Sequence, residues 1–187
     1  MNKRDHEELF ISVGAAYGIP AVALRFFNVY GERQALSNPY TGVAAIFSSR
    51  LLNDNAPVVF EDGEQTRDFI DVRDLVRGCA LALSSGGADG HVLNLGTGRR
   101  TSILEVAHTI AAGLGKDIEP EVVTQYRAGD IRHCYADTRL AEKLLSFRAE
   151  IAFEDGMRDL LAWLEGQEAV DAVDAAREAL VARGLAR

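Results

Sequence analysis

Apolar residues near the start of the chain recur at the spacing of one helix face. Five residues form this face: Leu9, Phe10, Val13, Ala16 and Tyr17. Gly18-Ile19-Pro20 predicts the end of the helix. The run from Val22 to Phe26 then favours a strand, which we expect to be buried on both faces as in a parallel sheet. The pattern predicts a helix that leads into a core strand.

A similar alternation continues through the next part of the chain. Residues 32–41 are rich in turn-forming residues, and a second helix is predicted from Val43 to Leu52. Val58-Val59-Phe60 and Arg67 to Ile70 favour short strands on either side of the turn Glu61-Asp62-Gly63. This stretch therefore adds one helix and two strands.

Two acidic residues mark the start of a third helix. Asp71 is placed as its N-cap and Asp74 as an acid in its first turn. We expect one helix face to consist of six residues: Val72, Leu75, Val76, Cys79, Ala80 and Leu83. The Gly86-Gly87 pair predicts its end.

A further strand and helix follow. Val92 to Leu95 favours a strand, and Ser102 with Glu105 has the spacing of a capping box for a helix through Leu114. Between them, Gly96-Thr97-Gly98 lacks the G-x-G-x-x-G spacing of a phosphate-binding loop, so we interpret it as a turn. The alternation of strands and helices predicts an α/β fold.

Composition and charge exclude several classes of protein. The 187 residues are 48% hydrophobic and 26% charged, which is typical of one globular domain's worth of chain. A net charge of −8 argues against nucleic acid as a partner, and the short apolar runs argue against a membrane. Cys79 and Cys134 lack Cys-x-x-Cys spacing and fit free thiols of a cytoplasmic protein. The four histidines show no metal-ligand spacing, so we predict no metal.

Two arginines are the strongest candidates for binding chemistry. Arg67 and Arg127 offer planar, forked donors that match diphosphate oxygens. For either residue alone, a weak surface ion pair, such as Arg67 with Asp68, is the alternative interpretation. Their sequence contexts, Gly-x-x-x-Arg-Asp-Phe-Ile and Arg-x-Gly-Asp, favour a diphosphate clamp.

Four segments together resemble a known enzyme family. They are Lys3-Arg4-Asp5-His6-Glu7-Glu8, Arg25-Phe26-Phe27-Asn28-Val29-Tyr30-Gly31, the run from Gly63 to Val72, and Arg127-Ala128-Gly129-Asp130-Ile131-Arg132. From Met1 to about Trp163 the chain resembles the extended short-chain dehydrogenase/reductases that act on nucleotide sugars, UDP-glucose 4-epimerases above all. In that family the lysine belongs to a Tyr-x-x-x-Lys pair. Its tyrosine and the glycine-rich dinucleotide loop would both precede Met1, so we expect this chain to be the C-terminal part of such an enzyme.

The resemblance implies a division of the chain into lobes. Residues 1–34 and 70–105 would be remnants of the NAD-binding Rossmann lobe, with the last units of its parallel sheet. Residues 35–69 and 106–165 would form the small substrate-binding lobe. Residues 166–187 are expected to be a helical tail that docks or frays.

The cofactor implied by the resemblance is NAD. Lys3 would bond the nicotinamide ribose and favour the phenolate of the missing tyrosine, which makes Lys3 the catalytic candidate of this chain. The backbone around Phe26 and Phe27 would border the nicotinamide.

The resemblance also assigns the contacts of the UDP-sugar substrate. Val58 to Phe60 would lie against the uracil, Arg67 and Arg127 would hold the diphosphate, and Asp130 would accept hydrogen bonds from the ribose. The nucleotide would therefore be bound mainly by the stretch from Val58 to Arg132.

Three further residues complete the expected substrate site. The Asn28 amide would bond the sugar nucleotide, and Arg132 would add a third positive charge. Cys134 would border the sugar, where its small side chain leaves room for a 2-N-acetyl group.

The function implied is that of an NAD-dependent UDP-hexose 4-epimerase, a homodimer when complete, which works through a transient 4-keto sugar. A nucleotide-sugar 4,6-dehydratase and a UDP-glucuronate decarboxylase remain alternatives, as does a non-catalytic truncated module that binds sugar nucleotides. Because the tyrosine and the dinucleotide loop would precede Met1, we expect the 187-residue chain alone to be inactive.

Overall fold

The computed structural model describes residues 2–35, 42–126, 129–167 and 182 of the chain. The helices in these residues are α1 Lys3–Tyr17, α2 Val43–Leu52, α3 Val72–Ser84, α4 Ile103–Gly113, α5 Arg139–Leu145 and α6 Phe153–Leu164. The strands are β1 Ala23–Phe26, β2 Asn28–Tyr30, β3 Val58–Phe60, β4 Thr66–Arg67, β5 Phe69–Asp71, β6 Val92–Leu95, β7 Thr101–Ser102, β8 Glu121–Val123 and β9 His133–Cys134. The predicted α/β class is confirmed, whereas the predicted helical tail lies almost entirely outside the described residues.

The described chain divides into two compact units. The first unit comprises Met1–Val29, Asp68–Arg99 and Tyr135–Ile151. The second comprises Tyr30–Arg67, Arg100–Cys134 and Ala152–Arg187. Whether one unit binds cofactor and the other substrate stays a prediction.

Helix α1 begins and ends at residues that suit their positions. At its start the Asn2 side chain accepts from the Asp5 N–H at 3.0 Å, and the Asp5 carboxylate accepts from the Asn2 N–H at 2.9 Å. This reciprocal pair is a capping box. At the other end Gly18 has a φ of 66°, the left-handed conformation that glycine adopts without strain.

An ion pair joins α1 to β1 in the first unit. The Arg25 Nε and Nη2 atoms donate to the two carboxylate oxygens of Glu7 at 2.8 and 2.6 Å. The hydrogen bonds that Arg25 donates to Glu7 lower the pKa of Glu7 and raise the pKa of Arg25. This forked contact links the helix to the strand.

The expectation that the strand from Val22 to Phe26 is buried on both faces is wrong in this structure, and α1 is open as well. The apolar face of α1 is largely open: Leu9 is 49% exposed, Phe10 68%, Val13 41% and Tyr17 77%. At the end of β1, Arg25 is exposed and Phe26 is 53% exposed. Within the described residues, β1 pairs on one edge, in parallel with β6, and its other edge has no strand neighbour. Without a neighbour there, part of the predicted core surface remains accessible.

Helix α3 has the predicted N-cap but a different buried face. The Asp71 side chain accepts from the Arg73 N–H, as an N-cap does. Val76 and Leu83, expected in the core, are 61% and 91% exposed. The buried face is centred on Gly78, where an added Cβ would lie 2.9 Å from Leu95 Cδ1 and 3.0 Å from Phe147. Because Leu95 and Phe147 approach the helix closely at Gly78, the face around Gly78 is buried instead of the apolar face predicted from the sequence.

The second unit combines helices with short strands. Its capping box at Ser102 and Glu105 is present, as predicted, and starts α4. Helices α2 and α6 both pack against α4, with Gly113 close to Leu161. Strand β3 pairs in parallel with β8, and β4 lies between β7 and β9. These short strands place the residues of the candidate site.

No helix in the described part of the chain is long and apolar enough to cross a membrane. Its His, Cys, Asp and Glu side chains likewise form no group of three or more that could hold a metal ion.

The open face of α1 and the open edge of β1 predict that the protein associates in solution, because exposed apolar patches and unpaired strand edges favour contacts between chains. We expect light scattering to report a species larger than a monomer. The double substitution Phe10→Glu and Tyr17→Glu should shift it toward the monomer. Leu83→Glu, at a still more exposed apolar residue on α3, should leave the species unchanged. A monodisperse wild-type monomer would contradict the prediction.

Candidate functional site

A buried carboxylate organises the first unit. Asp68 is 0% exposed and separates β4 from β5, where the sequence predicted one strand through Ile70. Its Oδ1 accepts from the Thr97 N–H at 2.9 Å and the Thr97 hydroxyl at 2.6 Å. Its Oδ2 accepts from the Gly98 N–H at 2.8 Å and the Ala136 N–H at 3.0 Å. Four donors replace the water that this group loses on burial.

This network explains the Gly96-Thr97-Gly98 segment. Two of its backbone N–H groups donate to Asp68, which supports its interpretation as a turn held by protein. A Cβ at Gly96 would lie 2.6 Å from Ala136 Cβ and 2.7 Å from Asp68 Oδ2. Glycine is therefore required at position 96 for close packing.

The predicted cofactor residues and Asn28 all belong to the first unit. The Asn28 N–H donates to the Asp68 carbonyl oxygen at 2.8 Å, and the Phe27 N–H donates to the Leu95 carbonyl oxygen at 3.4 Å. Phe26, Phe27 and Asn28 thus lie at the carboxyl ends of the parallel strands β1 and β6, where ligands of α/β sheets gather. Lys3 is the exposed first residue of α1.

Two predicted substrate residues form an ion pair in the second unit. Arg67 Nη2 donates to Asp130 Oδ1 at 2.7 Å, with the Arg67 side chain 15% exposed and that of Asp130 42% exposed. Arg67 Nη1 donates to the carbonyl oxygens of Thr66 at 2.9 Å and Arg132 at 3.3 Å. The alternative interpretation, an ion pair of Arg67 with Asp68, is wrong, because the Asp68 carboxylate accepts from Thr97, Gly98 and Ala136 instead.

Arg132 has acidic neighbours. Its Nη1 and Nη2 atoms donate to the two oxygens of Asp62 at 2.7 and 2.8 Å, and Nη1 also donates to Glu61 at 3.0 Å. The hydrogen bonds that Arg132 donates to Asp62 hold the pKa of Asp62 well below its usual range, and the same bonds raise the pKa of Arg132. Two carboxylates therefore offset the positive charge that the sequence suggested for this position.

An open groove of about 550 Å³ lies beside these ion pairs, lined by Glu61, Thr124, Tyr126, Gly129 and Asp130. Its lining carries two carboxylates, a hydroxyl and an aromatic ring. Such groups can accept hydrogen bonds from hydroxyls and support a planar group.

The remaining predicted substrate residues lie on nearby strands of the same unit. Val58 is buried and Phe60 half-buried on β3. Cys134, on β9, is half-buried and directly opposite Arg67 of β4. Arg127 lies outside the described residues. The structure thus brings Arg67, Asp130, Arg132 and Cys134 together around β4.

Parallel strand pairs with polar groups at their carboxyl ends define an α/β protein of the Rossmann type. Residues 1–96 match the model of the NAD dependent epimerase/dehydratase family, and the chain belongs to this family.

Known proteins resemble most of the chain. It is 34% identical over 145 residues to dTDP-L-rhamnose 4-epimerase of Burkholderia thailandensis, covering 78% of this chain and 40% of that protein. The UDP-glucose 4-epimerase of Thermotoga maritima, solved with UDP-glucose, has a TM-score of 0.80 at 33% identity, over 87% of this chain and 52% of the other. UDP-N-acetylglucosamine 4-epimerase of Methanobrevibacter ruminantium, in complex with UDP-N-acetylmuramic acid, has a TM-score of 0.82 at 34% identity, over 89% and 53%. The chain spans about half the length of these relatives.

We expect Asp68→Asn to lower the free energy of unfolding by about 3 kcal/mol, because the new amide must point its N–H groups at existing donors in either orientation. Urea denaturation of both proteins measures the difference. Asp137→Asn is the matched control: Asp137 also accepts charged and backbone hydrogen bonds, both from Arg139, but its side chain is 54% exposed. Equal effects of the two substitutions would contradict a special role for Asp68.

Proposed function

We propose that this chain forms part of an NAD-dependent nucleotide-sugar 4-epimerase whose substrate is a UDP-hexose. The observation that carries this proposal is the ion pair of Arg67 with Asp130 beside the groove of the second unit. Arg67 supplies a forked donor for a diphosphate, and Asp130 supplies an acceptor for ribose hydroxyls. The three relatives described above are all 4-epimerases of nucleotide sugars, which supports the same reaction here.

When a diphosphate binds, Arg67 would exchange its carboxylate partner, Asp130, for a phosphate oxygen. Arg67 is held at its Nη1 atom by two backbone carbonyls, so its guanidinium stays in place when Nη2 turns from Asp130 to a phosphate oxygen. Arg127 would supply the second guanidinium. Asp130, released from Arg67, would accept from the ribose, and Val58 to Phe60 would lie against the uracil. Asn28, in the first unit, stays a predicted contact of the sugar nucleotide.

The described residues fit the cofactor that the family implies. The half-exposed Phe26 at the end of β1 offers an apolar surface for a nicotinamide, together with the backbone of Phe27. The exposed ammonium of Lys3 offers donors for ribose hydroxyls. NAD would supply the hydride chemistry at C4 of the sugar. The chain's own contribution is binding and orientation.

Three finer features belong to the same proposal. The complete enzyme is a cytoplasmic homodimer, and it takes UDP-glucose, UDP-galactose and their N-acetyl forms. A 4,6-dehydratase or a UDP-glucuronate decarboxylase would share the same diphosphate clamp. A non-catalytic binding module would share it too and would differ by giving no turnover.

Removal of the guanidinium tests the proposed clamp. Arg67→Ala should weaken UDP binding by about 2–5 kcal/mol, the cost of taking one partner from a buried charge pair, and Arg127→Ala should do the same. Calorimetric titration with UDP measures both. Arg139→Ala, which removes an exposed arginine also paired with an aspartate, should leave the affinity unchanged. Unchanged affinity in both clamp variants would exclude the clamp.

The size of residue 134 tests the proposed sugar pocket. Cys134→Tyr should remove detectable binding of UDP-N-acetylglucosamine and spare UDP-glucose, because steric exclusion from a packed pocket costs more than the about 1–3 kcal/mol of a single added methylene. Titration with both nucleotide sugars measures this, and Cys134→Ser should bind both. Equal loss of both ligands, or loss of neither, would place Cys134 outside the sugar pocket.

A further inference from the structure

Glu61 has a backbone conformation that costs free energy. Its φ of 58° lies in the left-handed region, which favours glycine and is uncommon for a glutamate. The conformation is held by a hydrogen bond from the Glu61 N–H to the Gln125 carbonyl oxygen at 2.9 Å. The carboxylate is fixed in turn by Arg132 at 3.0 Å. Residue 61 is therefore held in one place by one contact at its backbone and one at its carboxylate.

The fixed carboxylate lines the same groove as Asp130. These two acceptors are held by different guanidinium groups, Asp130 by Arg67 and Glu61 by Arg132. Carboxylates positioned in this way accept strong hydrogen bonds from hydroxyls. A groove with two such acceptors suits a ligand that presents two hydroxyls.

The charges around the groove allow both carboxylates to remain there when a diphosphate binds nearby. Arg67 and Arg132 together place two positive charges next to Glu61, Asp62 and Asp130. The paired arginines reduce the repulsion that an isolated carboxylate would exert on a phosphate. Arg132 partly offsets the charge of Glu61, which can therefore accept a hydrogen bond near a phosphate.

We propose that Glu61 determines nucleotide specificity by accepting from the 2′-hydroxyl of the ribose while Asp130 accepts from the 3′-hydroxyl. This inference rests on the nucleotide site of the proposed function. A 2′-deoxynucleotide would leave one carboxylate without its hydroxyl partner, and sites built to bond a hydroxyl discriminate strongly against ligands that lack it. The groove thus selects a UDP-sugar over a dTDP-sugar.

The test compares UDP with 2′-deoxyuridine diphosphate, which differ only in the 2′-hydroxyl, by calorimetric titration of the full chain. The wild-type protein should bind UDP at least about 10-fold more tightly. Glu61→Gly should reduce the UDP affinity and leave the deoxy affinity unchanged, so that the ratio of the two falls to about 3 or less. Glycine suits a positive φ, so this variant keeps the local backbone.

Asp54→Gly is the matched control. Asp54 also has a φ of 58°, belongs to the second unit, and forms an ion pair with Lys116 away from the groove. Its replacement makes the same backbone change and should leave both affinities as in the wild type. A reduced ratio in Asp54→Gly as well would assign the effect to the backbone and overturn the proposal.

The remaining outcomes separate this inference from the proposed function. If the wild type binds both nucleotides equally, or if Glu61→Gly keeps the wild-type ratio or weakens both ligands alike, the role of Glu61 is overturned and the nucleotide site stands. If neither nucleotide binds at millimolar concentration, the nucleotide site is overturned together with this inference. A preference for UDP that disappears in Glu61→Gly alone supports both.

Discussion

The carboxylate of Asp68 is the constraint on which the first unit depends. It is fully buried, and each of its oxygens accepts two hydrogen bonds, from the turn after β6 and from Ala136. Its backbone carbonyl accepts from Asn28. One residue therefore positions three segments near the carboxyl ends of β1 and β6. A buried charge that is fully bonded tolerates little displacement, so these segments have a single arrangement.

The arginines of the second unit are already paired, and this shapes how an anion can bind. Arg67 has Asp130 as a partner and Arg132 has Asp62 and Glu61. A diphosphate would therefore compete with carboxylates for these donors. The carboxylates keep the guanidinium groups oriented before the ligand arrives. They also favour a ligand that donates hydrogen bonds to the carboxylates that its diphosphate displaces.

Local signals in the sequence predicted most of the elements but fewer of their contacts. The ends of α2, the N-cap Asp71 and the capping box of Ser102 follow from neighbouring residues, and they were predicted correctly. The buried face of α3 was not, because it depends on distant side chains that pack at Gly78. The bonds of Asp68 to Thr97 and Ala136 were missed for the same reason. The Arg-Asp-Phe-Ile motif contained the signal, since an acid inside a strand pattern needs donors from elsewhere.

The start of α1 has a consequence for folding and for handling the protein. Asn2 and Asp5 cap the helix reciprocally, so its first turn is stabilised by residues three positions apart. The helix can therefore begin to form before its apolar side finds a partner. Trimming the chain past Asn2 would leave the first N–H groups without an acceptor and would loosen the segment that carries Lys3 and the Glu7 contact to β1.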